Sequence, residues 1–217
     1  MVLNLVKNAH SILDIGTGPI GADWWSSIPK NAELVGIDLY FEPKIENRDF
    51  YLIKIDAIEL DKAEKPFLAI EFKGGQRKKK KLCLLNRFDV VVADHIFEHI
   101  SDPLRLAKGI SMVIKKNGFV HIGIPDPNNF TEKFYHLIHQ DEGGGGHISL
   151  ITKEKMIQIM NNNGFKLIKY QDWPDDWIWL EKLFDWKARG IKYFSQNDLE
   201  FIAETFRREL TPEKGYF

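Results

Sequence analysis

Apolar residues in this chain gather into short runs that end on an acid. Ile12, Leu13 and Ile15 bracket Asp14 and lead into glycines, which predicts a buried strand over Ser11–Ile15 turning sharply into a helix. Gly21-Ala22-Asp23-Trp24-Trp25 should open that helix and Pro29 close it. Glu33-Leu34-Val35-Gly36-Ile37-Asp38 predicts a second strand, again ending on an acid. The β-formers Phe50, Tyr51, Ile53 and Ile55 predict a third over 49–55, running out at Asp56-Ala57. Phe88–Asp94 is apolar nearly throughout, as a strand buried on both faces of a parallel sheet should be, and so belongs near the centre.

Helical spacing appears between and after these runs. Asp102 before Pro103 suits an N-cap and first helical position, and Leu106, Ala107, Ile110, Val113 and Ile114 share one face, with Gly118 as the stop and a strand over 119–124. Thr152 can cap a helix carrying Met156, Ile157, Ile159 and Met160 inward, ended by Asn163-Gly164 and followed by a strand over 165–170. A short helix is expected over 130–140, a hinge at Gly143 to Gly146, and an amphipathic helix over 197–210. Residues 66–87 break the alternation: apolar Phe67 to Phe72 and Leu82 to Leu85 flank Gly74-Gly75 and the basic run Arg77 to Lys81, a β-hairpin insertion. The whole predicts a doubly wound α/β fold with a mostly parallel sheet.

Composition changes this picture little. The chain has 217 residues, 44% of them hydrophobic and 28% charged, enough for one decorated domain with a packed core. A net charge of −1 creates no global attraction to nucleic acid or anionic membrane. The basic run lacks interleaved aromatics and reads as a solvated hairpin tip, so a nucleic-acid partner is not expected. Cys83 is the sole cysteine, the opening Met1-Val2-Leu3-Asn4 is unlike a secretory leader, and no run nears the roughly 20 apolar residues of a transmembrane segment; a cytoplasmic protein is expected.

The chemistry concentrates around Gly16-x-Gly18-x-x-Gly21. A glycine loop between strand and helix lets backbone approach a ligand closely, and this spacing, with Asp38 about 20 residues on, also fits a dinucleotide fingerprint. Asp14 separates the readings, since a carboxylate there repels a pyrophosphate and suits a cation. Ile12-Leu13-Asp14-Ile15-Gly16-Thr17-Gly18 resembles motif I of the class I S-adenosylmethionine-dependent methyltransferases, whose donor carries an ammonium and a sulfonium and no phosphate. The resemblance implies a Rossmann-like, seven-strand-type sheet and S-adenosylhomocysteine as product. It implies that Asp14, Gly16, Thr17 and Gly18 face the methionine end of the donor. Asp38 and Leu39 would lie at the ribose, Asp56 and Ala57 at the adenine, with Asp94 and His95 also lining the donor. Gly21 reads as helix packing.

Phe88 through Ile100, then Asp102-Pro103, Lys115-Lys116-Asn117-Gly118, Ile124-Pro125-Asp126 and Gly146-His147-Ile148-Ser149, are similar to the subgroup of ubiquinone- and menaquinone-biosynthesis and sugar or small-metabolite methyltransferases. The motifs of nucleobase-methylating enzymes do not follow Asp94. This implies O-methylation of a small metabolite, sugar or glycan, with His99 and His147 as catalytic candidates because imidazole can accept a hydroxyl proton near neutrality. His121, inside a strand, reads as a packing residue. Small-RNA 2′-O-methyltransferases pair a similar Glu-His with a later histidine around a divalent metal; His95 stands here where their first glutamate would be, which disfavours magnesium, and no metal is expected. A nicotinamide-dependent oxidoreductase and a non-catalytic subunit that binds the methyl donor are also compatible with the loop. The expected layout is one domain over 1–217, with an acceptor-side loop at 125–150 and a helical C-terminal extension at 171–217. A partner or parent domain covering the donor site is a further expectation.

Overall fold

A computed structural model of the chain describes residues 2–18, 23–40, 48–128 and 147–170. The chain divides into two compact units, Met1–Pro125 with His147–Leu167 and Asp126–Gly146 with Ile168–Phe217. The first contains every element that follows.

Seven strands form one sheet: β1 (Ser11–Ile15), β2 (Glu33–Ile37), β3 (Phe50–Ile53), β4 (Phe67–Lys73), β5 (Gln76–Leu82), β6 (Phe88–Asp94) and β7 (Ile114–Gly123), in the order β5-β4-β3-β2-β1-β6-β7. The five strands β3-β2-β1-β6-β7 run parallel, while β4 and β5 run antiparallel to their neighbours. From β1 the chain steps outward through β2 and β3, then returns across to β6 and β7. The crevice beyond the carboxyl ends of β1 and β6 is therefore the switch point where open α/β sheets bind ligands.

Alternation along the strands builds two cores. Leu13, Ile15, Val35, Ile37, Val91 and Ala93 point to one face, under α2 (Pro103–Val113) and α3 (Lys153–Asn162). Ile12, Leu34, Leu52, Val90 and Val92 point to the other, with Val6 of α1 (Val2–Val6), Trp25 and Ile28. Both predicted caps form: the Asp102 side chain accepts from Arg105 N at 3.1 Å with Pro103 opening α2, and that of Thr152 from Lys155 N at 3.3 Å.

The insertion is a hairpin in which Lys73 and Gln76 flank Gly74 (φ +53°) and Gly75 (φ +75°), a two-residue turn whose positive φ at both positions matches strand twist. It extends the sheet from β3, with Phe72 stacked on Phe50 at 4.3 Å.

Three expectations need correction. Residues 165–170 form no strand: only Phe165 packs on the core, and among the described residues no strand lies beside the segment to bond its backbone. Two of the sheet's seven strands come instead from the hairpin. Of the helix expected from Gly21 to Pro29, the described residues form one 3-10 turn, Asp23–Ser27, in which Trp25 is buried to 3% exposure. Finally, α2 ends at Val113 rather than Gly118: Ile114 already pairs with Phe88, and Asn117 (φ +65°) closes a bulge before Phe119 rejoins the ladder opposite Val90. Residues 19–22, the helices expected over 130–140 and 197–210, the hinge at 143–146 and the extension at 171–217 lie outside the described residues. No described helix is long and apolar enough to cross a membrane.

Candidate functional site

Four acids stand at or beyond the carboxyl ends of the neighbouring parallel strands: Asp14 on β1, Asp38 after β2, Asp56 beyond β3 and Asp94 closing β6. The glycine loop turns directly above them. Gly16 (φ +80°) donates its N–H to Ile37 O at 2.8 Å, and Gly18 (φ +65°) donates to Asp38 Oδ2 at 2.9 Å. Positive φ at both positions explains the glycines, and at Gly16 a Cβ would also approach Ile96 Cδ1 to 3.0 Å. The other Asp38 oxygen accepts from Tyr40 N at 2.9 Å, so this carboxylate clamps the loop to the end of β2. Leu39 and Tyr40 beside it are exposed.

Asp14 is buried, and the indole N–H of Trp25 donates to its Oδ2 at 2.6 Å. Burial pushes the Asp14 carboxyl up to about 7; Trp25 opposes the shift, and Asp94 and Asp38 add to it. Thr17 is buried as well. Its methyl faces Gly36, where a Cβ would sit 2.6 Å from Thr17 Cγ2, and its Oγ1 has no hydrogen-bond partner among the described residues. Asp56 accepts from Ile58 N at 3.1 Å and caps the 3-10 helix Ala57–Lys62, whose Ala57 is buried.

Asp94 lies over Gly123, where any Cβ would collide with Asp94 Oδ1 at 1.8 Å. His121 Nε2 lies 3.7 Å from that oxygen. The His121 imidazole holds Asp94 below the usual carboxylate range, helped by the charge of His95. His121 is thus a neighbour of the site rather than plain packing. Its signal was available only through the register that sets it opposite Val92, two positions before Asp94 and Gly123 pair. Trp25 was likewise missed, since nothing in the sequence ties it to Asp14.

His95 adopts φ +52°, unusual for a residue with a side chain, while its N–H donates to Gly123 O at 3.0 Å. That conformation sends the chain into the short 3-10 turn Phe97–His99, and His95 Nδ1 comes within 3.2 Å of Glu98 Oε1. Glu98 is buried to 2% exposure, and its Oε2 has no partner among the described residues. Its backbone carbonyl accepts from Ile148 N at 2.8 Å and Ser149 N at 2.9 Å, and Ser149 Oγ donates to Ile100 O at 2.5 Å. These bonds bring His147 against His99, ring centroids 4.8 Å apart and edge to face. Glu98, His99 and His147 offer ligand atoms within 4.8 Å of one another, a grouping that could hold a metal ion. His136 and His139 lie outside the described residues.

Residues 3–170 match a family model described as a methyltransferase domain. No curated protein sequence matches the chain. Among solved structures, it resembles a SAM-dependent methyltransferase from Archaeoglobus fulgidus, at TM-score 0.51 and 18% identity over 95% of this chain and 82% of that one. It resembles the YcgJ protein of Bacillus subtilis at TM-score 0.54 and 16% identity, over 91% and 78%. It also resembles Haemonchus contortus phosphoethanolamine N-methyltransferase 2, solved with phosphomonomethylethanolamine and S-adenosylhomocysteine, at TM-score 0.54 and 22% identity over 94% of this chain and 45% of that one. The chain thus spans less than half the length of the Haemonchus enzyme. At these identities the likeness is one of fold.

Proposed function

The chain belongs to the methyltransferase-domain family, and from that premise we propose that it transfers the methyl group of S-adenosylmethionine to an oxygen of a small metabolite, sugar or glycan. The observation that carries the donor is the glycine loop held by Asp38 among acids on adjacent strand ends. Carboxylates gathered at a loop that carries no lysine or arginine from Asp14 to Gly21 favour a cationic ligand over a pyrophosphate, which argues against a nicotinamide cofactor. In this reading Asp14, Gly16, Thr17 and Gly18 receive the methionine end, the Thr17 hydroxyl, which has no partner among the described residues, supplying a hydrogen bond. Asp38 takes the ribose hydroxyls, since a carboxylate can accept from both, and Leu39 covers them. Asp56 and Ala57 border the adenine, and Asp94 and His95 close the site from β6.

The donor supplies an electrophilic methyl group on a positively charged sulfur. The protein's contribution is placement: an acceptor oxygen held in line with that methyl gains most of its advantage from orientation. His99 and His147 carry the acceptor end, where the hydroxyl loses its proton as the methyl arrives and the sulfur keeps the electron pair of the broken bond. The Haemonchus enzyme is an N-methyltransferase, so the choice of oxygen rests on the histidine pair alone.

The test supplies methyl-labelled S-adenosylmethionine and a fractionated cell extract. Label in hydroxyl-bearing small molecules or glycans, with S-adenosylhomocysteine released, is expected. Label confined to amines overturns the oxygen acceptor; label confined to RNA favours 2′-hydroxyl methylation instead. Binding of NAD but not S-adenosylhomocysteine in calorimetry sinks the donor assignment.

A further inference from the structure

We propose that β5 is a docking edge for a partner protein, taking an extended acidic segment that adds to the sheet as a further strand with carboxylates at alternate positions opposite Lys79 and Lys81. The basic run does not sit at the hairpin tip, which is Gly74-Gly75, but lies along β5 from Arg77 to Lys81. Every one of these five residues is exposed. Residues 66–87 carry seven lysines and arginines against one acid, Glu71, in a chain of net charge −1, so the positive field is local to this margin.

The backbone offers the other half of the contact. Among the described strands β5 pairs with β4 alone. A two-residue turn makes its flanking residues, Lys73 and Gln76, a hydrogen-bonded pair, and bonded pairs then recur at every second position, Glu71 with Lys78 and Ala69 with Lys80. Phe72 and Ile70, between them, turn their backbone the other way, to Phe50 and Leu52 of β3. By the same alternation Arg77, Lys79 and Lys81 turn their N–H and C=O groups outward, to where a strand can be added.

Side chains set the pattern of that strand. Arg77, Lys79 and Lys81 share one face of the sheet, and Lys78 and Lys80 the other. On the second face Lys80 is bridged to Glu71 and lies over the Tyr51 ring at 5.0 Å. On the first, Lys79 and Lys81 have no ion pair among the described residues. Opposite charges facing each other stabilise a strand pair and like charges oppose it, so a segment with an acid at every second position fits this edge. Other polyanions fit less well. A nucleic acid needs exposed rings for its bases, and Phe72 lies under the Arg77 guanidinium and stacks on Phe50. A lipid surface needs an apolar stripe beside the cations, and β5 presents cations to both faces.

The experiment uses the full chain and a fluorescent, end-capped eight-residue peptide alternating glutamate with threonine, followed by anisotropy. Saturable one-to-one binding is expected, weakened at least about tenfold in the double variant Lys79→Glu, Lys81→Glu. The same peptide N-methylated throughout keeps its charges and loses every backbone donor, and should also bind at least about tenfold more weakly. Hydrogen exchange of the parent protein, read by NMR, needs no variant: the peptide should slow the amides of Arg77, Lys79 and Lys81, while those of Lys78 and Lys80, already bonded to β4, change little. Equal binding of the N-methylated peptide, protection that does not alternate along β5, or unchanged binding in the double variant overturns the proposal. So does tighter binding of an eight-nucleotide oligouridylate or of phosphatidylserine vesicles than of the peptide. The methyl donor takes no part in any of these readings, so failure here leaves the methyl-transfer reading untouched.

Discussion

The indole of Trp25 and the carboxylate of Asp14 meet across 2.6 Å inside the core, one from a 3-10 turn and the other from the first strand. A buried acid next to the glycine loop is thereby held by an uncharged N–H donor, which leaves its charge finely balanced.

That balance predicts a pH dependence of stability. Asp14 is raised from its ordinary 3.8 to about 7 by burial. Below 3.8 both folded and unfolded chains carry its proton; between 3.8 and about 7 only the folded chain does. The stabilisation from holding that proton is therefore complete below 3.8 and lost as pH rises to about 7, with a slope approaching about 1.4 kcal/mol per unit. Asp14→Asn should flatten this part of the profile and be the more stable protein at about pH 8 while losing affinity for S-adenosylhomocysteine. Urea denaturation at closely spaced pH values checks it, and identical slopes in the two proteins would falsify the assignment.

Trp25→Phe keeps the aromatic bulk and removes the N–H. Without it Asp14 moves further towards its neutral form, and a cationic ligand finds less charge near neutrality. S-adenosylmethionine affinity should fall about tenfold at about pH 7 and recover most of that loss by about pH 9. Calorimetric titration at both values decides; an equal loss at each pH would point to packing instead.

Gly36 sits opposite Asp14 in the ladder, and a Cβ there would come within 2.6 Å of Thr17 Cγ2 and 3.4 Å of Trp25. Gly36→Ala should cost about 1–3 kcal/mol and push the glycine loop off its seat, weakening donor binding. Adding Thr17→Ser removes the clashing methyl and should restore much of both. Additive losses in the double variant would show that the loop is not what the alanine displaces.

A contrasting outcome is expected at Gly109 of α2. Its Cβ would meet Leu60 Cβ at 2.6 Å and the backbone nitrogen of Asp61 at 2.8 Å, and backbone cannot step aside as a side chain can. Gly109→Ala should destabilise by about 3 kcal/mol, the upper end of the overpacking range, with donor affinity unchanged in the protein that remains folded. A shift in denaturation midpoint at constant ligand affinity is the result to look for.

The strands were legible because burial leaves a plain mark. Ser11–Ile15 and Phe88–Asp94 stand where their apolar runs put them, and Gly74-Gly75 announced the hairpin by turn chemistry that few residues can replace. Residues 165–170 carry apolar and aromatic residues suited to a strand, but a strand needs a neighbour, and no local pattern says whether one arrives. The same limit applied to the site. Asp14, Asp38 and the glycines could be read in order along the chain, whereas Trp25, His121 and the orphaned oxygen of Glu98 matter through what lies across from them in space. Lys115-Lys116-Asn117-Gly118 looked like a helix end, but Ile114 has already joined β7 by pairing with Phe88, a partner 26 residues earlier that local spacing does not reveal.

The hairpin has a bearing on how this molecule meets its own copies. Its outer strand, β5, presents Arg77, Lys78, Lys79, Lys80 and Lys81 along the margin of the described sheet, and Lys80 is bridged to Glu71. Two such edges brought together would set like charges side by side, which discourages strand exchange and fibre growth on this flank. Lateral growth of the sheet is left to the opposite margin, where among the described strands β7 pairs with β6 alone.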